Sequence, residues 1–260
     1  MLTRNLDKAR EAYRNKDIDA TIKAHNKGYE PHNEGQGKYI KSLVYGGLDG
    51  IITTFAVVAG VAGAALNTGI VLIMGFANLI ADGLSMAIGD YLSTKAEVEY
   101  QQVERERETW EVEHYPEGEM QEMVEIYMAK GMSEEDAKQM MDILSKNKKA
   151  WIDVMMVEEL GIVEEEESPI RNALVTFFSF LVFGFIPLIA YVLSSFIPDI
   201  GDSTFVLAIV LTGVTLFILG ALKVKVTERN WFTSGLEMLV VGGIAAVAAY
   251  LIGKVLSGLA

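Results

Sequence analysis

The chain has 260 residues, 51% of them hydrophobic and 22% charged, with a formal net charge of −13 and a mean hydropathy of +0.27. A soluble domain carrying that many charges rarely averages so apolar, so the two properties must be segregated along the chain. The absence of Cys excludes disulfide staples, thiolate zinc or iron–sulfur sites and cysteine nucleophiles, and five Pro with 24 Gly exclude a collagen-like or disordered chain.

Residues 1–38 are polar, with 8 basic and 6 acidic side chains, and read as a short helix followed by a Gly-containing linker rather than a cleavable signal peptide. A bilayer core is crossed by about 20 apolar residues of helix. Five stretches qualify: 42–66, 68–92, 170–197, 204–222 and 231–253. Only the region of Asn67 separates the first two, which predicts a two-helix hairpin. Gly46, Gly47, Gly50, Gly60, Gly63, Gly242 and Gly243 are spaced to let neighbouring helices approach closely, as packing in lipid favours. A large soluble helical core would need polar outer faces, and these segments lack them.

Within the second span, Asn78, Asp82, Met86 and Asp90 recur at four-residue steps, so one helical face carries an amide, two carboxylates and a thioether. An ionised Asp at the bilayer centre costs ~2.5–3.5 kcal/mol even on the lenient insertion scale, and such residues usually face a water- or ion-filled path. Asp49, flanked by Gly46, Gly47 and Gly50, can meet that face across the hairpin. For Asp90 a plain helix-end position at the membrane interface fits equally well. Glu237, beside Thr233 and Ser234, reads as a polar contact in the fifth span.

Residues 94–168 hold 22 acidic and 8 basic side chains, so the rest of the chain carries a net charge of about +1. A helix runs from the second span to about Glu113 with no Gly or Pro to break it and then meets His114, Tyr115 and Pro116. A second helix is expected from Pro116 to Lys130, a third from Ser133, which with Asp136 forms a capping-box-like start, and a fourth from about Asn147 to Leu160. Glu97, Glu104, Glu108 and Glu111 share one face, and Glu119 and Glu122 lie three apart. A solvated acidic face accounts for this pattern, and so does a metal-gathering surface. Eight Met lie between Met120 and Met156. Met commonly fills cores, yet thioethers beside carboxylates also form a mixed ligand set suited to ferrous and similar ions rather than to calcium or magnesium.

Charge placement sets the orientation. Lys38, Lys41, Arg171, Lys223, Lys225 and Arg229 flank one side of the spans, whereas loops 67–69 and 198–203 contain no Lys or Arg, and the latter carries Asp199 and Asp202. This puts the N-terminus and the acidic segment in the cytoplasm and the C-terminus outside or in a lumen, with Lys254 a minor exception that can snorkel. The expected fold is all-α and polytopic. It comprises a cytoplasmic N-terminal arm (1–40), transmembrane helices 1–2 (41–93), an acidic cytoplasmic helical domain (94–168) and transmembrane helices 3–5 (169–260). The lack of a targeting extension favours a prokaryotic cell membrane, with a vacuolar membrane as the alternative.

Several short motifs, in this order, resemble the vacuolar iron transporter family. They are Gly46-Gly47-Leu48-Asp49-Gly50, Gly83-Leu84-Ser85-Met86, Gly89-Asp90-Tyr91-Leu92-Ser93, the Glu104–Glu108 run, and Trp151-Ile152-Asp153-Val154-Met155-Met156 with Glu159-Leu160-Gly161. The similarity covers about residues 40–255. It implies a homodimer of five-helix protomers with a path between subunits, and a cytoplasmic domain that gathers ferrous and similar ions in exchange for protons. By motif, Glu108, Glu111, Glu119, Glu122, Met155, Met156 and Glu159 match the family's cytoplasmic ligands, and Asp49 and Met86 its membrane path. Plant-like members carry Glu where this chain has Asn78, which leaves Asp82 to take that role; the family's last cytoplasmic Glu falls near residues 162–164 without a clean match.

The lack of a GxxxxGK[ST] loop argues against direct drive by ATP. An ion-coupled exporter of ferrous iron, and of manganese or similar ions, fits better, with the metal as bound substrate and no catalytic cofactor. Cytoplasmic carboxylates would concentrate cations, and protonation of membrane Asp side chains would release the metal on the acidic side. The rival readings are a magnesium or calcium channel or transporter with an acidic sensor domain, a non-transporting membrane sensor and a membrane di-iron enzyme. The last fails because it needs two Glu-x-x-His pairs; Glu111 with His114 supplies one, and neither His25 nor His32 has a Glu three residues before it. No hydrolase triad, HExxH motif or nucleic-acid-binding basic patch is found.

Overall fold

The computed structural model describes residues 6–26, 39–163, 168–197, 201, 203–227 and 230–258, which form ten α-helices. The chain divides into two compact units, Met1–Lys41 and Ser42–Ala260. The predicted linker at 27–38, the acidic run at 164–167, residues 198–200 with Asp199, Asp202 and Arg229 lie outside the described residues.

In the first unit two helices stand where one was expected, α1 (Leu6–Asn15) and α2 (Ile18–Asn26). Lys16 takes a left-handed φ of 53° between them, and the Asp17 side chain accepts from the Ala20 amide at 2.9 Å, capping the second helix.

The second unit holds α3 (Ile40–Gly63) from Ser42 onward, followed by α4 (Thr68–His114). The first span stops at Gly63, short of the expected Leu66, because Ala65 turns the chain with a left-handed φ of 55°. Asn67 then caps α4, its side chain accepting from Ile70 N at 3.1 Å. The 47 residues of α4 run unbroken from the hairpin into the acidic segment, a rod of about 70 Å at 1.5 Å per residue.

The acidic insert folds as α5 (Pro116–Ala129), α6 (Glu134–Leu144) and α7 (Lys148–Glu158) beside the distal part of α4. Ser133 caps α6 as its spacing predicts, accepting from Asp136 N at 3.1 Å. The return path is α8 (Pro169–Phe196), α9 (Thr204–Thr227) and α10 (Trp231–Leu256).

Among the described residues five helices, α3, α4, α8, α9 and α10, are long and apolar enough to cross a membrane. An odd number of crossings puts the insert and the α9–α10 connection on one side and the C-terminus on the other. Trp231 and Phe232, at the start of α10, make edge-on contacts with Phe217, an aromatic group of the kind found at membrane interfaces.

Between apolar helices in lipid there is little hydrophobic drive, so close packing must supply the cohesion. α8 supplies most of it, packing along α4 and also against α9. The membrane core draws Phe55, Val58 and Val61 from α3, Val71 and Leu79 from α4, Phe180, Leu188 and Tyr191 from α8 and Ala208 from α9. Gly46 and Gly50 bring α3 against the α8 backbone: a Cβ at these positions would sit 2.6 Å from the Thr176 carbonyl oxygen and 2.5 Å from that of Phe180. These neighbours are backbone and cannot turn aside. Gly50→Ala is therefore expected to destabilise the protein by about 2 kcal/mol through overpacking, read as a lower melting temperature in detergent. Gly213→Ala, with nothing within 4 Å of its Cβ position, is expected not to lower it.

Candidate metal site

The insert has its own apolar core, formed by Val112 of α4, Met123 and Val124 of α5, Ala137 and Met141 of α6, and Trp151, Ile152, Met155 and Met156 of α7. Met155 and Met156 are 0% and 1% exposed, so both thioethers belong to this packing. Arg105 bonds Asp153 at 2.5 Å and Lys148 approaches Glu113 to 3.6 Å, tying α7 to α4; Lys130 pairs with Glu158 across α5 and α7.

This core forces acidic side chains together. Tyr115 ends α4 with φ −140° and ψ 56°, and Pro116 starts α5 at once, folding Glu119 back beside Glu108. At the end of α7, Gly161 adopts a left-handed φ of 67° and Ile162 N bonds Met156 O at 2.7 Å. The glycine permits a tight reversal immediately after Glu159. Glu108, Glu119 and Glu159 each contribute a carboxylate oxygen to a group within 4.8 Å of one another. Glu108 is fully buried and Glu119 nearly so. Two of the buried oxygens, Glu108 Oε2 and Glu159 Oε2, have no hydrogen-bond partner.

Arg107 is the local counter-ion. Its guanidinium lies 2.9 Å from Glu104, 3.0 Å from Glu108 and 3.6 Å from Glu111. Burial pushes the Glu108 carboxyl above its ordinary range despite the bond from Arg107. Burial, reinforced by the charges of Glu108, Glu111 and Glu122, pushes Glu119 up to about 7. Glu159 also reaches about 7, through burial and then the charges of Glu108, Glu122 and Glu119. Glu119 and Glu159 thus exchange protons near neutrality.

Of the seven residues predicted for this site, Glu108, Glu119 and Glu159 converge. Glu111 and Glu122 act on them through charge, and Met155 and Met156 lie in the adjoining core. His114 ends α4 as expected, with Nδ1 2.7 Å from the Trp110 carbonyl and its ring stacked on Trp110. In the membrane half, Asp82 lies within electrostatic reach of Asp49 across the hairpin. Asn78 Nδ2 donates to Thr54 Oγ1 at 3.4 Å, Met86 packs against the membrane core, and Asp90 accepts from Thr176 Oγ1 at 2.5 Å. Thr176 and Thr54 escaped the sequence reading, since a lone hydroxyl in an apolar span carries no signal of its own.

A five-span helical membrane protein with a buried carboxylate cluster in its large insert is built to handle cations. The VIT family matches residues 40–254. The chain is 43% identical to the vacuolar iron transporter of Toxoplasma gondii over 268 aligned positions, covering 97% of this chain and 89% of the relative. It is 37% identical to the vacuolar iron transporter of Plasmodium falciparum, covering 98% of each, and 34% identical to vacuolar iron transporter 1 of Arabidopsis thaliana, covering 84% and 86%. The chain belongs to the VIT family and is a multi-pass membrane transporter, not an enzyme.

The raised carboxyls fix the sign of the pH response. Between the ordinary 4.5 and about 7 the folded chain keeps protons on Glu119 and Glu159 that the unfolded chain has released. Metal-free stability from these groups is therefore greatest below that window and falls as pH rises through it. A divalent cation bound to these carboxylates would replace the protons, so its affinity would rise over the same range. The melting temperature of metal-free protein is expected to fall between about pH 5 and about pH 8. Cobalt(II) should raise it more at the higher pH, and the double substitution Glu119→Gln, Glu159→Gln should flatten both trends.

Proposed function

We propose that this protein exports ferrous iron, and similar divalent transition ions, from the compartment that holds the insert, in exchange for protons. The observation that carries the reading is the group of buried Glu108 and Glu119 with half-buried Glu159 and its two unpartnered oxygens, which gains from a divalent cation what no side chain among the described residues supplies. The relatives' names add iron as the cargo and favour a vacuolar membrane over the prokaryotic cell membrane that the sequence suggested. The insert and N-terminal arm are read as cytoplasmic, on the Lys and Arg placement.

The acidic insert concentrates cations and its buried carboxylates bind them, releasing protons. The cation then reaches the membrane set of Asp90, Met86, Asp82 and Asp49, with Asn78 held by Thr54 alongside. Protonation of the Asp side chains from the opposite side releases the metal. The protein acts as a homodimer in this reading, because α10 and the apolar part of α4 are the least covered of the five spans. The domain limits follow: arm 1–40, spans 41–93, metal-binding insert 94–168 and spans 169–260.

A second reading, a magnesium or calcium transporter with an acidic sensor, is favoured by one observation: the three converging groups are all carboxylates, an oxygen-only set. Flux into proteoliposomes separates the two. With iron as substrate, a pH gradient is expected to accelerate iron(II) uptake, Asp49→Asn to abolish it, and a hundredfold excess of magnesium to leave it nearly unchanged. Displacement of iron by magnesium would select the second reading, and undiminished uptake by the Asp49→Asn variant would remove Asp49 from the path. Glu108→Ala with Glu111→Ala is expected to lower uptake more at low iron than at saturating iron; equal loss at both would contradict a capture role.

A further inference from the structure

Where α4 passes from its apolar part into the acidic segment, it is pinned to α8 by two polar pairs. Thr176 Oγ1 donates to Asp90 Oδ2 at 2.5 Å, and Asn172 Nδ2 donates to Thr94 Oγ1 at 3.3 Å. Each pair is displaced from the other by one turn on both helices, in opposite senses, as antiparallel neighbours require. Thr176, Asn172 and Thr94 are all buried. α3 closes the third side: the Gly46 position faces the Thr176 carbonyl, and Ser179 Oγ donates to Leu43 O at 2.5 Å. The Thr176 backbone is thus held close against α3, and its hydroxyl is committed to Asp90.

Asp90 occupies a particular place on α4. Glu108 lies eighteen residues beyond it, five whole turns and about 27 Å away on the same helical face. Glu97 and Glu104 fall between them at seven-residue steps. Met86 and Asp82 lie one and two turns the other way. Asp90 is therefore the first carboxylate of the membrane set that a cation leaving the insert meets, and the distance rules out direct transfer from the cluster. Thr176 holds one of its oxygens and leaves Oδ1 as the oxygen available to a cation.

We propose that Thr176 is a positioning residue for cation transfer: its hydroxyl sets the orientation of Asp90 so that the free carboxylate oxygen receives ions on their way from the Glu108 cluster to Asp82 and Asp49. This rests on the transport reading above. Loss of a hydrogen bond to a charged group typically changes an equilibrium or rate by about tenfold or more.

The test is manganese(II) flux in proteoliposomes, with manganese binding to the solubilised protein measured in parallel. Thr176→Val is expected to lower the maximal rate about tenfold while KM and binding to the insert stay unchanged, and Thr176→Ser is expected to restore the rate. In an Asp90→Asn background, Thr176→Val should cause no further loss, because the hydroxyl acts only through that carboxylate. Wild-type flux by Thr176→Val, failure of the serine variant to restore it, or a full additional loss on top of Asp90→Asn would each overturn the proposal. If the valine variant does not accumulate, Thr176→Cys, with its weak donor, replaces it and is expected to fall between serine and valine; a rate equal to wild type would overturn the proposal. Wild-type and Asp49→Asn flux in the same vesicles report on the transport reading separately, since absence of wild-type flux defeats that reading before Thr176 is considered.

Discussion

Three carboxylates from three different segments meet within 4.8 Å inside the insert, two of their oxygens buried without a partner. An ionised carboxylate removed from water costs several kcal/mol unless it is paired, and three together repel one another as well. Arg107 supplies one positive charge and shares it among Glu104, Glu108 and Glu111. The remaining deficit has to be met by protons or by a cation. The groups are brought together by the Tyr115-Pro116 corner, the Gly161 reversal and the core of buried Met123, Met141, Met155 and Met156. Two of these carboxyls, Glu119 and Glu159, are pushed up to about 7 by burial and by the charges of neighbouring carboxylates, and the metal-binding role proposed above rests on that convergence.

The same helix that carries Glu108 also lines the membrane, so the two halves of the molecule share a rigid element. α4 passes from Asn78 to Glu111 without a break. Its position in the membrane is set by α8, which approaches α3 through Gly46 and Gly50 and meets α4 through both apolar contacts and the Asp90–Thr176 and Thr94–Asn172 pairs. Close backbone packing on one side and polar pairing on the other leave Asp49 and Asp82 facing each other's charge across the α3–α4 hairpin.

Much of this architecture was legible in the chain. Asn67 announced the hairpin, the Gly- and Pro-free run after Asp90 announced the continuous rod, and Ser133 with Asp136 announced α6. Five apolar stretches gave five spans to within a few residues. What stayed hidden was decided by tertiary contact. Spacing places Glu119 and Glu122 on one face alike, and only the packing of α5 against α4 selects Glu119 for burial. A methionine pattern is the same whether the thioethers line a core or approach an ion; Met155 and Met156 pack in the core, as buried as Glu108 itself. The two-helix arm hinges on a left-handed Lys16, for which no glycine gives warning, although Asp17 is a capping signal in its own right. Thr176 and Asn172 looked like stray polar residues until their partners 86 and 78 positions away were seen.

The most direct measurement of the central claim is anomalous scattering from crystals of the full-length protein grown above neutral pH with manganese(II) or iron(II). A peak enclosed by Glu108, Glu119 and Glu159, coordinated by their carboxylate oxygens, is the expected result. An insert with no ion among these residues, while metal occupies carboxylates elsewhere on the chain, would contradict it.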